Sequence, residues 1–486
     1  MNTLIIFGAS GDLTSRKLIP SLYRLFVKGR LPQPFVIVGF SRTAKTDTEW
    51  QSELRATTKQ FAAKSFDSSQ WDKFAAMIHY HIGDIGSPES FTSLETRLRE
   101  LESGESNRLY YLSTAPKFYE QTIQQLGKAG MATESPTDSA TASRRVVIEK
   151  PFGIDLQSAQ KLNESIHHVF TENQIYRIDH YLGKETVNNI LVLRFANTIF
   201  EPIWNRNYID HIQITANEEV TVGHRAAFYE TAGVLRDMFQ NHLLQILTFV
   251  TMEAPSRFDA KAVRDEKVKV LQAIRPMSPD QIQRDTLRGQ YRSYRDEEGV
   301  AKGSRTATFA AMKLQIDNWR WKDVPIFLRS GKAMGCRTTQ ILVQFRRPPH
   351  SMFGADNAAH DANQLLLQIQ PAEGIQIHFQ TKVPDTEMRM RMTELKFSFQ
   401  NSFSGEMPEA YERLLLDALQ GDASLFARSD EVEAAWTIID PIQTKWEQDK
   451  KDPELYETGS WGPPVSNDWI QKHERQWFDM CPLIGH

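Results

Sequence analysis

The sequence predicts an α/β domain followed by an α+β domain: an N-terminal doubly wound parallel sheet, then a C-terminal domain with a large, mostly antiparallel sheet and flanking helices. Three observations carry this prediction. A continuously apolar run at residues 3–7 enters a glycine turn and then a helical pattern, as a buried parallel strand feeding a crossover does. Strand-like and helix-like stretches alternate from there to residue 150. Beyond residue 185 strand-like runs cluster with few helices between them, which suits hairpins better than crossovers.

The elements follow in order. After the strand at 3–7 come the turn Gly8-Ala9-Ser10-Gly11-Asp12-Leu13, a helical run at 14–28 broken only by Pro20, and a second apolar strand at 35–40. Helical patterns at 46–64 and 69–77 precede a strand at 80–82, a helix at 87–101, a strand at 109–112 and a helix at 118–129. Residues 132–143 form a polar loop, and a strand at 145–150 stops at Pro151. Later strands are expected at 306–316, 324–328, 340–345, 365–369, 375–381 and 395–399, with helices at 185–193, 233–253 and 409–420. The domain boundary falls near residue 178, giving domains 1–178 and 179–486, and the tail is read as irregular wrapping.

Composition excludes several classes. Fifty-seven basic against sixty-one acidic residues give a formal charge of −4, without the basic excess of a nucleic-acid binder. No window nears the ~18 uninterrupted apolar residues of a membrane span, and residues 4–7 are too short for a secretory signal core. A cytoplasmic protein with neither nucleic-acid nor membrane partner is expected. Two cysteines, Cys336 and Cys481, make neither a disulfide framework nor a zinc cluster; they fit a reducing compartment, and no metal is expected.

Four stretches carry chemistry. The Gly8–Leu13 turn bares backbone N–H groups at a helix start, a Rossmann-like cradle for a dinucleotide pyrophosphate, although its spacing departs from G-x-G-x-x-G. After the second strand stands Ser41-Arg42-Thr43, where an NAD site usually has an acid; Arg42 there suits the 2'-phosphate of NADP, with NAD as a weaker alternative. In Glu149-Lys150-Pro151-Phe152-Gly153 a lysine ends a parallel strand, at the edge where open α/β sheets bind ligands. Arg177-Ile178-Asp179-His180-Tyr181-Leu182-Gly183-Lys184-Glu185 packs a carboxylate, an imidazole, a phenol and an ammonium into a non-periodic run. Taken alone it fits either a solvated loop or a grip for an anionic, hydroxylated ligand. Asp237 and His242 lie on a helix, and a histidine there would need a carboxylate to act as a base.

Together these stretches resemble the glucose-6-phosphate dehydrogenase family: GASGDL, EKPFG, RIDHYLGKE, RD-x-x-QNHLLQ and R-x-GK with a later basic residue, all in order. The resemblance implies an NADP-binding domain at 1–178 and a substrate-binding and oligomerisation domain at 179–486. It implies oxidation of glucose 6-phosphate at C1 to the 6-phosphoglucono-lactone, with His242 as general base and Asp179 orienting it. His180, Tyr181 and Lys184 match phosphate-holding residues; Lys150, Glu218, Asp237, Lys332, Arg337 and Gln370 match residues near the sugar or its phosphate. Gly8, Ala9, Ser10, Gly11, Asp12, Leu13, Arg42 and Tyr111 fall at cofactor positions, and Lys150 is also expected near the nicotinamide. A homodimer or homotetramer is implied. Some members hold a second, structural NADP through basic residues; Thr338, Leu342 and Gln368 stand at those positions, so no second cofactor is expected. Another two-domain sugar oxidoreductase would share Lys150 but need not carry residues 179–185, and a catalytically silent relative would typically have lost such groups.

Overall fold

The computed structural model describes residues 1–102, 104–134, 142–350, 352, 362–403 and 407–481, in two compact units. Most of the expected polar loop, residues 135–141, lies outside the described residues.

The first unit comprises residues 1–184, 255–264 and 408–433. Its sheet contains β1 (Asn2–Phe7), β2 (Phe35–Ser41), β3 (Ile78–Ile82), β4 (Asn107–Leu112), β5 (Arg144–Glu149) and β6 (Ile175–Ile178), ordered β3-β2-β1-β4-β5-β6 and parallel throughout. The winding direction reverses between β1 and β4, the switch point at whose carboxyl edge doubly wound sheets bind ligands. Leu4, Ile5, Ile6 and Phe7 are fully buried, as helices on both faces require. Thr46 caps the helix Asp47–Phe61 reciprocally with Glu49, and Ser87 caps Pro88–Leu101. Pro20 does not break its helical run. Residues Thr14–Leu18 are wound with wide π turns directly before Pro20, and the change from π to α winding at Ile19–Val27 lets the run continue past the missing N–H.

The helix Ala410–Gln420 also belongs to this unit. Glu412, almost wholly buried, accepts from Arg24 Nε at 2.6 Å and from Lys28 Nζ at 2.6 Å. Arg24 also donates to the Phe61 carbonyl at 3.0 Å.

The second unit comprises residues 185–254, 265–407 and 434–486. Its strands are β7 (Ile209–Asn217), β8 (Thr286–Tyr291), β9 (Phe309–Leu314), β10 (Ile326–Gly331), β11 (Thr338–Phe345), β12 (Gln364–Gln370), β13 (Gly374–Lys382), β14 (Met390–Ser398) and β15 (Glu454–Tyr456). They form one mixed sheet, β14-β13-β12-β11-β7-β10-β9-β8-β15, parallel only at β7–β10 and β8–β15. The strand β7, absent from the sequence-based expectation, holds the central place, and β8 and β15, also not expected, lie at one end of the sheet. In β7, His211, Gln213 and Thr215 alternate with Ile212, Ile214 and Ala216, and both sets are buried.

The expectation of two unpaired cysteines is corrected: Cys336 and Cys481 form a disulfide across 145 residues of sequence. Sequence distance hid the pairing because the tail folds back to the β10–β11 turn. The tail itself is not wholly irregular, since it includes the helix Val465–Gln471. No described helix is long and apolar enough to cross a membrane.

Because Arg24 and Glu412 are both buried, removing Glu412 leaves the Arg24 guanidinium with the half-buried Glu409, 3.4 Å away, as its remaining counter-ion. Glu412→Ala is expected to cost ~3–5 kcal/mol, read as a lowered midpoint in chemical denaturation. A loss no larger than that of an exposed pair, under ~1 kcal/mol, would mean that the pair does not hold the helix.

Candidate active site

In the first unit the glycine turn follows β1. Gly8 has φ +85°, and a Cβ there would press into the Ser113 carbonyl, so only glycine fits. The Gly8 and Ala9 N–H groups donate to the Phe40 carbonyl at 3.0 and 3.2 Å, and Gly11 N–H donates to Gly8 O at 2.9 Å. Ser10 Oγ lies 2.9 Å from Ser41 Oγ, tying the turn to the end of β2, and exposed Arg42 follows directly. Asp12 faces outward, 3.4 Å from Arg16. The narrow turn, small side chains and helix start fit a dinucleotide pyrophosphate.

At the end of β5, Glu149 is half-buried directly before Lys150. It accepts from Tyr111 Oη at 2.5 Å and from Tyr411 Oη at 3.0 Å. Burial raises the Glu149 carboxyl above its ordinary range, against the pull of the two phenols and Lys150. Burial and the same carboxylate push both phenols up. The Lys150–Pro151 peptide is cis, and Gly153 at φ +80° packs against Ala159.

Residues 179–184 make a tight turn after β6. Asp179 is 2% exposed, and its Oδ1 accepts the Tyr181 N–H at 3.0 Å. Leu182 N–H donates to Asp179 O at 3.0 Å, and Lys184 N–H to Tyr181 O at 3.2 Å. The Lys184 ammonium sits 5.5 Å from the Tyr181 ring centroid, and the His180 ring lies 5.1 Å from the same ring. Gly183 packs so close to the helix Ala410–Gln420 that a Cβ would meet Ala410 O at 2.5 Å. A freely solvated loop would bury neither Asp179 nor Tyr181.

In the second unit Lys332, 1% exposed, follows β10. Its ammonium contacts the Glu218 carboxylate, lies 3.4 Å from Asp237, and is 5.1 Å from the Tyr229 ring centroid. Asp237 and His242 both lie on Leu235–Leu243, which is wound with π turns, a form frequent at functional sites. His242 is 1% exposed, and its backbone N–H donates to Asn241 Oδ1 at 2.6 Å. Gln370 donates to Thr339 Oγ1 at 3.0 Å, and Arg337 is exposed at the head of β11. Sequence reasoning left out three residues that shape these groups: Glu149, Tyr411 and Tyr229. Glu149 stood inside the EKPFG stretch and could have been found there; Tyr411 and Tyr229 carry no local signal.

Two family models cover nearly the whole chain: "Glucose-6-phosphate dehydrogenase, NAD binding domain" at residues 5–189 and "Glucose-6-phosphate dehydrogenase, C-terminal domain" at 191–478. The chain belongs to the glucose-6-phosphate dehydrogenase family. It is 42% identical to glucose-6-phosphate 1-dehydrogenase of Chlamydia pneumoniae, over 98% of this chain and 95% of that one. It is 43% identical to that of Treponema pallidum, over 98% and 94%. A solved glucose-6-phosphate dehydrogenase in complex with its substrate glucose 6-phosphate superposes with TM-score 0.90 at 35% identity, over 98% of this chain and 99% of that one. The Mycobacterium avium structure does so with TM-score 0.85 at 34% identity, over 99% of each chain. The chain is thus an oxidoreductase with a nucleotide-binding domain for a nicotinamide cofactor.

The raised Glu149 carboxyl sets a pH dependence. In the folded state it holds its proton to higher pH than in the unfolded chain, so its contribution to stability is full below 4.5, the ordinary value, and is lost as pH rises through the folded value. Thermal midpoints measured against pH should show this fall in the wild type and not in Glu149→Gln. Tyr411→Phe removes a donor to the carboxylate and should move the fall to higher pH; an unchanged profile would mean that Tyr411 does not hold Glu149.

Proposed function

We propose that the protein oxidises D-glucose 6-phosphate at C1 to 6-phospho-D-glucono-1,5-lactone with formation of NADPH, the first step of the oxidative pentose phosphate pathway. The observation that carries this reading is the 179–184 turn, which buries Asp179 and sets Tyr181 and Lys184 together, within a chain that aligns end to end with family members.

A bound NADP supplies the hydride acceptor. Gly8, Ala9, Ser10, Gly11, Asp12 and Leu13 cradle its pyrophosphate at the positive end of the helix start, with the Gly8, Ala9 and Gly11 N–H groups holding the shape of the turn rather than the ligand. Arg42 meets the 2'-phosphate with charge-assisted hydrogen bonds, which favours NADP over NAD. Tyr111 serves that side of the site from below, through Glu149, which seats Lys150 close to both the nicotinamide and the sugar.

His242 takes the proton from the C1 hydroxyl as C1 gives up its hydride. Asp179 orients the imidazole and favours the imidazolium that forms. His180, Tyr181 and Lys184 hold the 6-phosphate; Glu218, Asp237, Lys332, Arg337 and Gln370 complete recognition of the sugar phosphate. A cytoplasmic homodimer or homotetramer is the form this reading carries.

With glucose 6-phosphate and NADP, the near-ultraviolet absorbance of reduced nicotinamide should rise, and His242→Asn should lower kcat by roughly 10²–10⁴-fold, the usual worth of a general base. No signal with any hexose phosphate would sink the reading; full activity in the variant would sink His242 as the base. Separately, Arg42→Ala should raise KM for NADP far more than for NAD, and equal effects would remove Arg42 from the 2'-phosphate.

A further inference from the structure

Lys332 is held by more than the two carboxylates it meets, Glu218 and Asp237. Its own N–H donates to the Thr308 carbonyl at 3.0 Å. Ala333, which follows, stands at φ +54°, with its N–H donating to Val220 O at 3.0 Å. A non-glycine residue in that left-handed region is strained, and such strain persists only where the surroundings over-determine the backbone.

Two buried tyrosines complete the hold. Tyr456 ends β15, opposite Tyr291 of β8, and is 1% exposed. Its hydroxyl donates to the Lys332 carbonyl at 2.8 Å. A phenol has one proton, so with that proton on Lys332 the Thr308 hydroxyl is the donor in its 2.9 Å contact with Tyr456 Oη. Thr308 Oγ1 in turn accepts the Tyr291 N–H at 3.0 Å, which closes an ordered chain from the sheet to the Lys332 peptide. Burial pushes the Tyr456 phenol up, so the donor keeps its proton. Tyr229 lies on the helix Ala226–Val234, which leads into the π-wound segment bearing Asp237. Its ring centroid is 5.1 Å from the Lys332 ammonium. Its hydroxyl is buried and has no hydrogen-bond partner among the described residues. A buried, unpaired hydroxyl costs stability, so what Tyr229 contributes here comes from its ring.

We propose that Tyr456 and Tyr229 are positioning residues for binding of the phosphorylated sugar, Tyr456 fixing the Lys332 backbone through its hydroxyl and Tyr229 fixing the Lys332 ammonium through its ring. The role rests on the substrate reading of Lys332, through which both tyrosines act. An ammonium carries three protons. Glu218 and Asp237 draw two of them, and the third serves a sugar oxygen. A ring face suits that division, because it attracts the cation without taking a proton from the carboxylates or the ligand. A lysine stem is long and flexible, and the strained peptide at Ala333 would relax if its neighbours let go. The hydroxyl of Tyr456 holds the carbonyl of that same peptide, so it sets where the stem begins, as the ring of Tyr229 sets where it ends.

The test compares Tyr456→Phe, Tyr229→Phe and Tyr229→Leu with the unaltered full chain, by steady-state kinetics and by acylation of Lys332 with sulfosuccinimidyl acetate, read by peptide mass. Tyr456→Phe should raise KM for glucose 6-phosphate by roughly fivefold, the net worth of one hydrogen bond, with kcat and KM for NADP near their original values. Tyr229→Leu should raise the same KM by roughly tenfold, as loss of a desolvated cation–π contact implies. Tyr229→Phe keeps the ring, so it should keep the original KM and unfold at a higher temperature. Lys332 should be acylated faster in Tyr456→Phe and Tyr229→Leu than in the unaltered chain. A purely structural role would lower the thermal midpoint and leave KM for glucose 6-phosphate unchanged, and that result overturns the proposal. A Tyr229→Phe protein as impaired as Tyr229→Leu also overturns it. Should Tyr229→Leu fail to fold, Tyr456→Phe decides alone. Absence of glucose 6-phosphate turnover in the unaltered chain instead overturns the substrate reading; the acylation rates stand apart from it and still decide whether the tyrosines hold Lys332.

Discussion

Much of the first unit hangs on one half-buried carboxylate, that of Glu149. Glu149 has lost much of its contact with water, which favours hydrogen-bond partners from the protein, and it draws two phenol donors from β4 and from the helix Ala410–Gln420. That requirement joins three elements distant in sequence at the base of Lys150. The same helix is held at its other face by Glu412 against Arg24 and Lys28, and it also walls the 179–184 turn at Gly183. A helix contributed from residue 410 onward thus fixes both the strand-end lysine and the turn that bears Asp179.

The second unit solves a similar problem with the charges reversed. Lys332 is buried, and an ammonium removed from water must be paired. Its carboxylates come from the residue following β7 and from the π-wound segment Leu235–Leu243. Winding that segment with π turns changes which side chains share a face compared with a regular α-helix. Asp237 is thereby placed on Lys332 while His242, five residues on, stays buried on the same segment.

The alternation of strands and helices up to residue 150 was legible because both periods are strong there, and five strands of the six-stranded sheet follow from it; β6, only four residues long and wholly buried, was not read. The strand β7 was not read, although it alternates, because its polar members His211, Gln213 and Thr215 look solvent-facing; their burial depends on partners elsewhere, such as the Gln476 carbonyl on the tail, which accepts from Gln213 at 2.8 Å. Short motifs exposed Asp179, Lys150 and the glycine turn, since dense chemistry in a non-periodic run stands out. Tyr411, Tyr229 and the pairing of Cys336 with Cys481 did not stand out. Each is defined by a contact made across more than ninety residues, and no local pattern encodes such a contact.

The charges around Lys332 also narrow its chemistry. One ammonium stands against two carboxylates, Glu218 and Asp237, so the group carries a net negative charge when all three are ionised. Such a cluster is poorly suited to receive a phosphate dianion, whose approach both carboxylates oppose. It is well suited to sugar hydroxyls, which can donate to the carboxylates while the ammonium donates to the hydroxyl oxygens. The 179–184 turn has the opposite character, with the Lys184 ammonium and the His180 imidazole both set against the Tyr181 ring. The two stretches thus suit different chemistry, the cluster around Lys332 an uncharged hydroxylated group and the 179–184 turn an anionic one.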